Sequence, residues 1–210
     1  MLETIPSGHA MTIKNVFRHF PRIRKMALYS LAMPALLIGG YGMHLRVTNN
    51  FHTVVAGEVY RSSQPSAEAI ANFDKTYGIK TIINLRGEGD NSKWYQEEVA
   101  QARALGIQHI DFRMSARSEL TQARAEELIA LMRDAPKPLL IHCLSGADRT
   151  GLASALYLAA ISGANERTAE GQMSILYGHI SLPIIKAYAM DRSFEKMEPL
   201  LGLTNPQIRL

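Results

Sequence analysis

The stretch IHCLSGADRTG, from Ile141 to Gly151, holds the single cysteine of a 210-residue chain. Cys143 stands six residues before Arg149, with Gly146 between them and His142 and Thr150 at the flanks. Each residue type suits one part of phosphoryl chemistry. A thiolate is a strong nucleophile, a guanidinium fork matches two phosphate oxygens, and glycine lets a backbone fold closely around an anion. The apolar LLIH before the cysteine reads as a short buried strand, and TGLASALYLAAIS after it as a helix. A loop from the carboxyl end of a strand to a helix N-terminus is where α/β proteins gather anions. The first helical N–H groups are unpaired there and the dipole is positive. That field favours the Cys143 thiolate. The backbone of Leu144, Ser145, Gly146, Ala147, Asp148 and Arg149 makes up that connection. Thr150 is placed to donate its hydroxyl to the sulfur, and His142 to fix the loop from behind. A buried structural cysteine, the commonest fate of a lone thiol, would leave Gly146, Arg149 and Thr150 unexplained.

Three carboxylates compete as proton donor. Asp148 lies inside the loop, where a carboxyl beside the phosphate can protonate a leaving oxygen; its bland alternative is a carboxylate in the first helical turn. It is favoured narrowly. Asp111 lies 32 residues before Cys143, but the alternation of Ile110, Phe112 and Met114 sets it in mid-strand. Glu119 belongs to a loop that should overhang the site. Arg86, in NLRGE, reads as structural or as a contact at the substrate rim.

The elements that must position these residues alternate. FHTVVAGEVYRSSQPS reads as a strand pair turning at Gly57. Ser66 caps a helix that Gly78 ends. KTIINL is a buried strand, a helix follows near 92–105, and IQHIDF is another strand. Thr121 caps QARAEELIALMRD, and two further helices are expected near 166–177 and 184–199. Strands alternating with helices predict an α/β fold, a mostly parallel central sheet flanked by helices.

Charge is unevenly placed. Of 23 basic and 19 acidic residues, six and one lie in positions 1–46, leaving 17 and 18 for the remainder. No basic patch with interleaved aromatics is present, so a nucleic-acid partner is not expected. One cysteine excludes an internal disulfide framework, and the seven histidines form no HxH or HxxxH pair, so no metal is expected. Residues 26–43, MALYSLAMPALLIGGYGM, carry no charge and are just long enough for an N-terminal transmembrane helix. A cleaved signal peptide is the alternative, with GYG a poor cleavage site. Five basic residues precede the span and one follows, which predicts a single-pass membrane protein with its N-terminus in the cytoplasm and residues from about 47 outside it. In a Gram-negative source that is the periplasm.

The pattern H-C-x-x-G-x-x-R-[ST]-G should arise from composition alone with odds below about one in 10⁴. It resembles the signature of the cysteine-dependent protein tyrosine phosphatase superfamily. GEVYRSSQPS, YGIKTIINLRGE and the layout from GIQHIDFRMSAR to the loop resemble the atypical dual-specificity phosphatases of bacteria, fungi and plants. CLSGADR resembles the Cys-x-x-Gly-x-Asp-Arg of the myotubularin lipid phosphatases. The resemblance implies a dual-specificity phosphatase-like fold, with Cys143 forming a phosphocysteine and Arg149 binding phosphate and stabilising the transition state, helped by phosphate binding at the backbone amides of residues 144–149. It implies no metal and no cofactor. The Trp-Pro-Asp tripeptide that usually carries the general acid is missing. The expected division is a basic cytoplasmic arm over 1–25, the anchor or signal peptide over 26–45, a phosphatase domain over 47–200 and a tail over 201–210. Partners are the membrane and a phosphorylated protein or small phosphorylated molecule, such as an inositol phosphate. A non-catalytic phosphate-binding module is the rival class. A rhodanese shares the Cys-x₅-Arg spacing but lacks the Thr-Gly start of the next helix.

Overall fold

The computed structural model describes residues 13–89 and 91–203, with the backbone alone for 13–28 and 31. Much of the arm expected over 1–25 and most of the tail expected over 201–210 lie outside the described residues. The chain divides into two units, Met1–Met43 and His44–Leu210.

Helix α1 (Ile13–Val47) runs unbroken through Pro34 and through the apolar stretch of the sequence. Among the described residues, however, no helix is long and apolar enough to cross a membrane. Tyr29, Ser30, Pro34, Gly39, Gly40 and Gly42 dilute the run, and the side chains at 26–28 and 31 lie outside the description. The stretch expected to span is thus helical, but its described residues do not reach that measure. Leu36, Leu37 and Ile38 are exposed on this helix.

The second unit carries a five-stranded sheet in the order β1-β2-β5-β3-β4. Its strands are β1 (His52–Val55), β2 (Val59–Ser62), β3 (Thr81–Asn84), β4 (Gln108–Asp111) and β5 (Leu139–His142). β1 and β2 form the antiparallel edge pair, and Gly57 turns between them at φ +76°. The other three pairings are parallel. β5 sits at the centre, so the loop that follows it opens at the middle of the sheet's carboxyl edge.

The helices are α2 (Ala67–Tyr77), α3 (Lys93–Ala104), α4 (Gln122–Asp134), α5 (Asp148–Ala160), α6 (Glu166–Glu170) and α7 (Ala189–Met197). Alternation along the strands assigns the two faces. Ile83, Leu139 and Ile141 pack into the larger core with Leu128, Met132, Leu152, Leu156 and Phe194. Tyr60, Ile82 and Leu140 face the other way, onto Ile70 and Ala102. Local signals behave as the sequence predicts: Ser66 Oγ accepts from Ala69 N at 3.1 Å, Gly78 closes α2 in the left-handed conformation, and Thr121 caps α4.

The C-terminal third departs from the expectation. In place of a helix over 166–177, α6 stops at Glu170 and a 3₁₀ turn covers Ile175–Tyr177. Beyond the break, the Gln172 carbonyl accepts from Arg61 Nη1 at 2.7 Å. The helix expected over 184–199 is likewise a 3₁₀ turn at Lys186–Tyr188 leading into α7.

Candidate active site

Cys143 follows β5 directly and is buried. From Leu144 to Ala147, four successive carbonyls are each held by a donor. Leu144 O accepts from Gln64 N at 3.2 Å, and Ser145 O from Asn50 Nδ2 at 3.0 Å. Gly146 O and Ala147 O both accept from Arg61 Nη2, at 2.8 and 3.4 Å. A loop whose carbonyls are all engaged on one side presents its N–H groups on the other, which makes an anion-binding concavity. Gly146 is required for this shape. It has φ +73°, and a Cβ there would fall 2.7 Å from the backbone of Ser62 and Ser63. Helix α5 then starts at Asp148, one residue before the arginine.

Arg61 is a residue that sequence reasoning missed. It is fully buried on β2, donates to Gln172 O and Oε1 at 2.7 and 2.8 Å, and lies 3.9 Å from the centre of the Tyr177 ring. Burial pushes its guanidinium down to about 10, against a smaller upward pull from Tyr177 and Cys143. It therefore stays charged at neutral pH and grips the loop as a cation. The only signal was a charged residue amid the apolar residues of VYRS. Asn50 was missed as well. It is fully buried at φ +45°, a conformation asparagine tolerates better than most residues. Its amide bridges Ser145 O and Tyr177 O, the latter at 2.9 Å.

Arg149 Nη1 donates to Leu85 O and Met114 O at 3.3 and 3.4 Å, while its Nε is buried without a hydrogen-bond partner. An unpaired donor on a charged group is costly, and a phosphate oxygen would satisfy it. Thr150 Oγ1 is also buried without a partner. The donation to the Cys143 sulfur expected from sequence is not formed. His142 is buried, and its Nε2 meets Glu98 Oε1 at 2.9 Å. The same oxygen meets His109 Nε2 at 2.7 Å, and Glu98 Oε2 accepts from Gln64. Burial alone would raise the Glu98 carboxyl, but His142 and His109 outweigh it and hold it at about 2. Arg86 donates to Gln64 Oε1 at 2.8 Å and stacks 3.6 Å over Trp94.

The three candidate acids are not equivalent. Asp111 ends β4 and is tied at both oxygens, to Asn84 Nδ2 at 2.7 Å and to Tyr95 OH at 2.5 Å. Glu119 is drawn to α7, where it meets Arg192 Nε at 2.5 Å and Lys196. Those two cations hold its carboxyl below the ordinary range. Both are thus engaged by other side chains. Asp148 lies within the loop, and its side chain is 26% exposed. It lines a hollow of about 370 Å³ with Ala116, Arg117, Ile185, Lys186 and Ala187. A larger hollow of about 710 Å³ runs along α3 from Tyr95 to Ala104 and contains no residue of the loop.

A family model described as "Tyrosine phosphatase family" matches residues 38–170. The chain is 29% identical over 115 residues to the dual specificity protein phosphatase TpbA of Pseudomonas aeruginosa, covering 55% of this chain and 49% of TpbA. It is 29% identical over 160 residues to the inositol diphosphatase of Saccharomyces cerevisiae, covering 70% of this chain and 50% of that one. It thus spans about half the length of these curated relatives. Among solved structures, TpbA superposes with a TM-score of 0.55 at 20% identity, over 74% of this chain and 92% of that one. The catalytic core of the yeast enzyme superposes with 0.54 at 21% identity, over 73% and 88%.

Proposed function

We propose, for a chain that belongs to the tyrosine phosphatase family, a cysteine-dependent phosphomonoesterase that works through a phosphocysteine. The observation that carries this reading is the loop whose four carbonyls are tied outward between Cys143 and Arg149. Cys143 Sγ attacks phosphorus as the bond to the leaving oxygen breaks, and Asp148 gives that oxygen its proton. The loop amides and Arg149 stabilise the charge gathered on the three remaining oxygens. Water then attacks phosphorus, the S–P bond breaks, the water proton passes to Asp148 and phosphate leaves. Family membership and a cysteine in place at the loop favour turnover over a phosphate-binding module.

The substrate is a phosphorylated protein, as the TpbA relative and a solved TpbA complex with phosphotyrosine suggest. A small polyphosphorylated molecule is the second reading, favoured by Arg117 and Lys186 beside Asp148 and by the yeast inositol diphosphatase relative. The deciding experiment measures aryl phosphate hydrolysis, then a panel of phosphopeptides and inositol phosphates. Cys143→Ser should lose at least about 10⁴-fold, the scale on which nucleophile removal acts, with an unchanged melting temperature. Arg149→Lys should be severely impaired, since an ammonium cannot make the planar two-point contact. Near-normal rates in either variant would sink the mechanism.

We place this domain outside the cytoplasm on an N-terminal anchor. The support is the basic residues that precede the apolar stretch and the exposed Leu36, Leu37 and Ile38, an arrangement unfavourable in water. A C-terminal alkaline phosphatase fusion should be active and a green fluorescent fusion dark; the reverse pair would refute the orientation.

A further inference from the structure

His179 lies outside the stretch that the family model matches, and in the sequence it is one of seven scattered histidines. In the fold its side chain is wholly buried between two carboxylates. Nδ1 meets Asp148 Oδ1 at 2.7 Å, and Nε2 meets Asp191 Oδ2, on α7, at 2.9 Å. A neutral imidazole has a single N–H. Two short contacts to carboxylate oxygens therefore require a second proton, held on the ring or on one of its partners.

We propose that His179 is a positioning residue for the proton donor: it clamps Asp148 by Oδ1, leaves Oδ2 to the substrate, and steadies the carboxylate produced when the proton departs. This rests on Asp148 as the donor. Asp191 completes the clamp. It accepts from the far nitrogen, which fixes the ring orientation and favours the doubly protonated ring, as a carboxylate behind a histidine does in other catalytic sites. Burial works against the charged ring, but the hydrogen bonds to Asp148 and Asp191 prevail and hold it above the ordinary histidine value.

The surrounding charges are arranged consistently. Arg117 and Lys186 share the hollow with Asp148. On the other side, Asp191 lines a hollow of about 470 Å³ with Arg167, Glu170 and Glu195, a predominantly acidic setting that further favours an imidazolium. His179 thus links a carboxylate that lines a basic hollow to one that lines an acidic hollow.

The test is a set of pH–rate profiles on the full chain with an alkyl phosphate and p-nitrophenyl phosphate, for the wild type, His179→Asn, Asp191→Asn and Asp148→Asn. A cation beside a carboxylate favours its ionised form. His179→Asn should therefore move the basic limb for the alkyl phosphate upward, on the order of one pH unit. It should also slow that substrate about tenfold more than the aryl one. Asp191→Asn should move the limb the same way by less, because the ring is then held charged by one carboxylate instead of two. If the limb disappears in Asp148→Asn but stays in place in the other two variants, with equal losses for both substrates, His179 is only structural and the proposal falls alone. If Asp148→Asn keeps the limb, the donor is misassigned and the role of His179 falls with it. Should His179→Asn fail to melt cooperatively, Asp191→Asn decides by the same criterion.

Discussion

Two buried histidine–carboxylate clusters flank the loop, and they are inverted in composition. On the α3 side one carboxylate, Glu98, serves two histidines, His142 and His109. On the α7 side one histidine, His179, serves two carboxylates, Asp148 and Asp191. The first cluster touches the loop through His142, the residue before Cys143, and the Glu98 side chain is wholly buried. The second contains Asp148, which is part of the loop and opens on a hollow. The difference separates a brace from a working group. A sealed cluster can hold the backbone but cannot exchange a proton with a bound molecule, whereas an open one can do both.

The clusters also answer pH from opposite ends. Glu98 is held down at about 2 against an ordinary 4.5, so its contribution is complete above about 4.5 and is lost as pH falls toward 2. His179 is raised above its ordinary 6.5, so its contribution is complete below 6.5 and is lost as pH rises through the raised value. Both clusters are at full strength only between these limits.

The sharpest way to break the comparison is Asp148→Asn. Hydrolysis of an alkyl phosphate should fall on the order of 10²–10⁴-fold, the usual size of general-acid assistance, while p-nitrophenyl phosphate, whose leaving group departs almost unaided, is little affected. Asp111→Asn and Glu119→Gln, both of whose carboxylates are engaged by other side chains, should not reproduce that pattern. If Glu119→Gln alone reproduces it, the working group belongs to the overhanging segment and the α7 cluster is a second brace.

Glu98→Gln should act in the opposite manner. Removing the charge shared by His142 and His109 should cost on the order of 3 kcal/mol of stability at pH 7, the scale of breaking a buried pair. Any loss of rate should be equal for the two leaving groups. Denaturant titrations should show the gap from wild type closing as pH is lowered toward 2. A leaving-group-dependent loss would mean that this cluster also reaches the reacting centre.

The smallest effect is expected away from both clusters. Glu198 has one buried oxygen without a partner and lies close to Glu166 and Glu170. Burial first, and then Glu166, Glu170 and Glu195, raise its carboxyl to about 7. The folded chain therefore keeps a proton that the unfolded chain has released between 4.5 and 7, and stability declines with pH across that window. Glu198→Gln should raise the melting temperature by about 2 °C at pH 8 and leave it unchanged at pH 4. A uniform shift at both pH values would exclude titration of this group as the cause.

Much of the architecture was written locally. Cap residues such as Ser66 and Thr121, the turn at Gly57 and the β-branched run of Thr81–Asn84 act over a few residues, and period and propensity express them directly. Helices after Ala160 were poorly legible, because tertiary demands override local ones there: Gln172 leaves the helical path to meet Arg61. Asp111, expected in mid-strand, is the last residue of β4, and nothing local told that Asn84 and Tyr95 would tie both its oxygens.

The sequence by itself determined the loop. Cys143, Gly146, Asp148 and Arg149 are spaced so that any strand-to-helix connection brings them around one anion, and no distant residue is needed to see it. Only the tertiary structure decided what holds that loop in shape and what stands behind its carboxylate. Asn50 lies 95 residues from Ser145, Arg61 lies 85 from Gly146, Glu98 lies 44 from His142 and His179 lies 31 from Asp148. Contacts over such separations leave no period or motif in the chain. They exist because β5 inserts between β2 and β3, which seats the loop beside Arg61, and because α7 packs against α5, which carries Asp191 to the far side of His179.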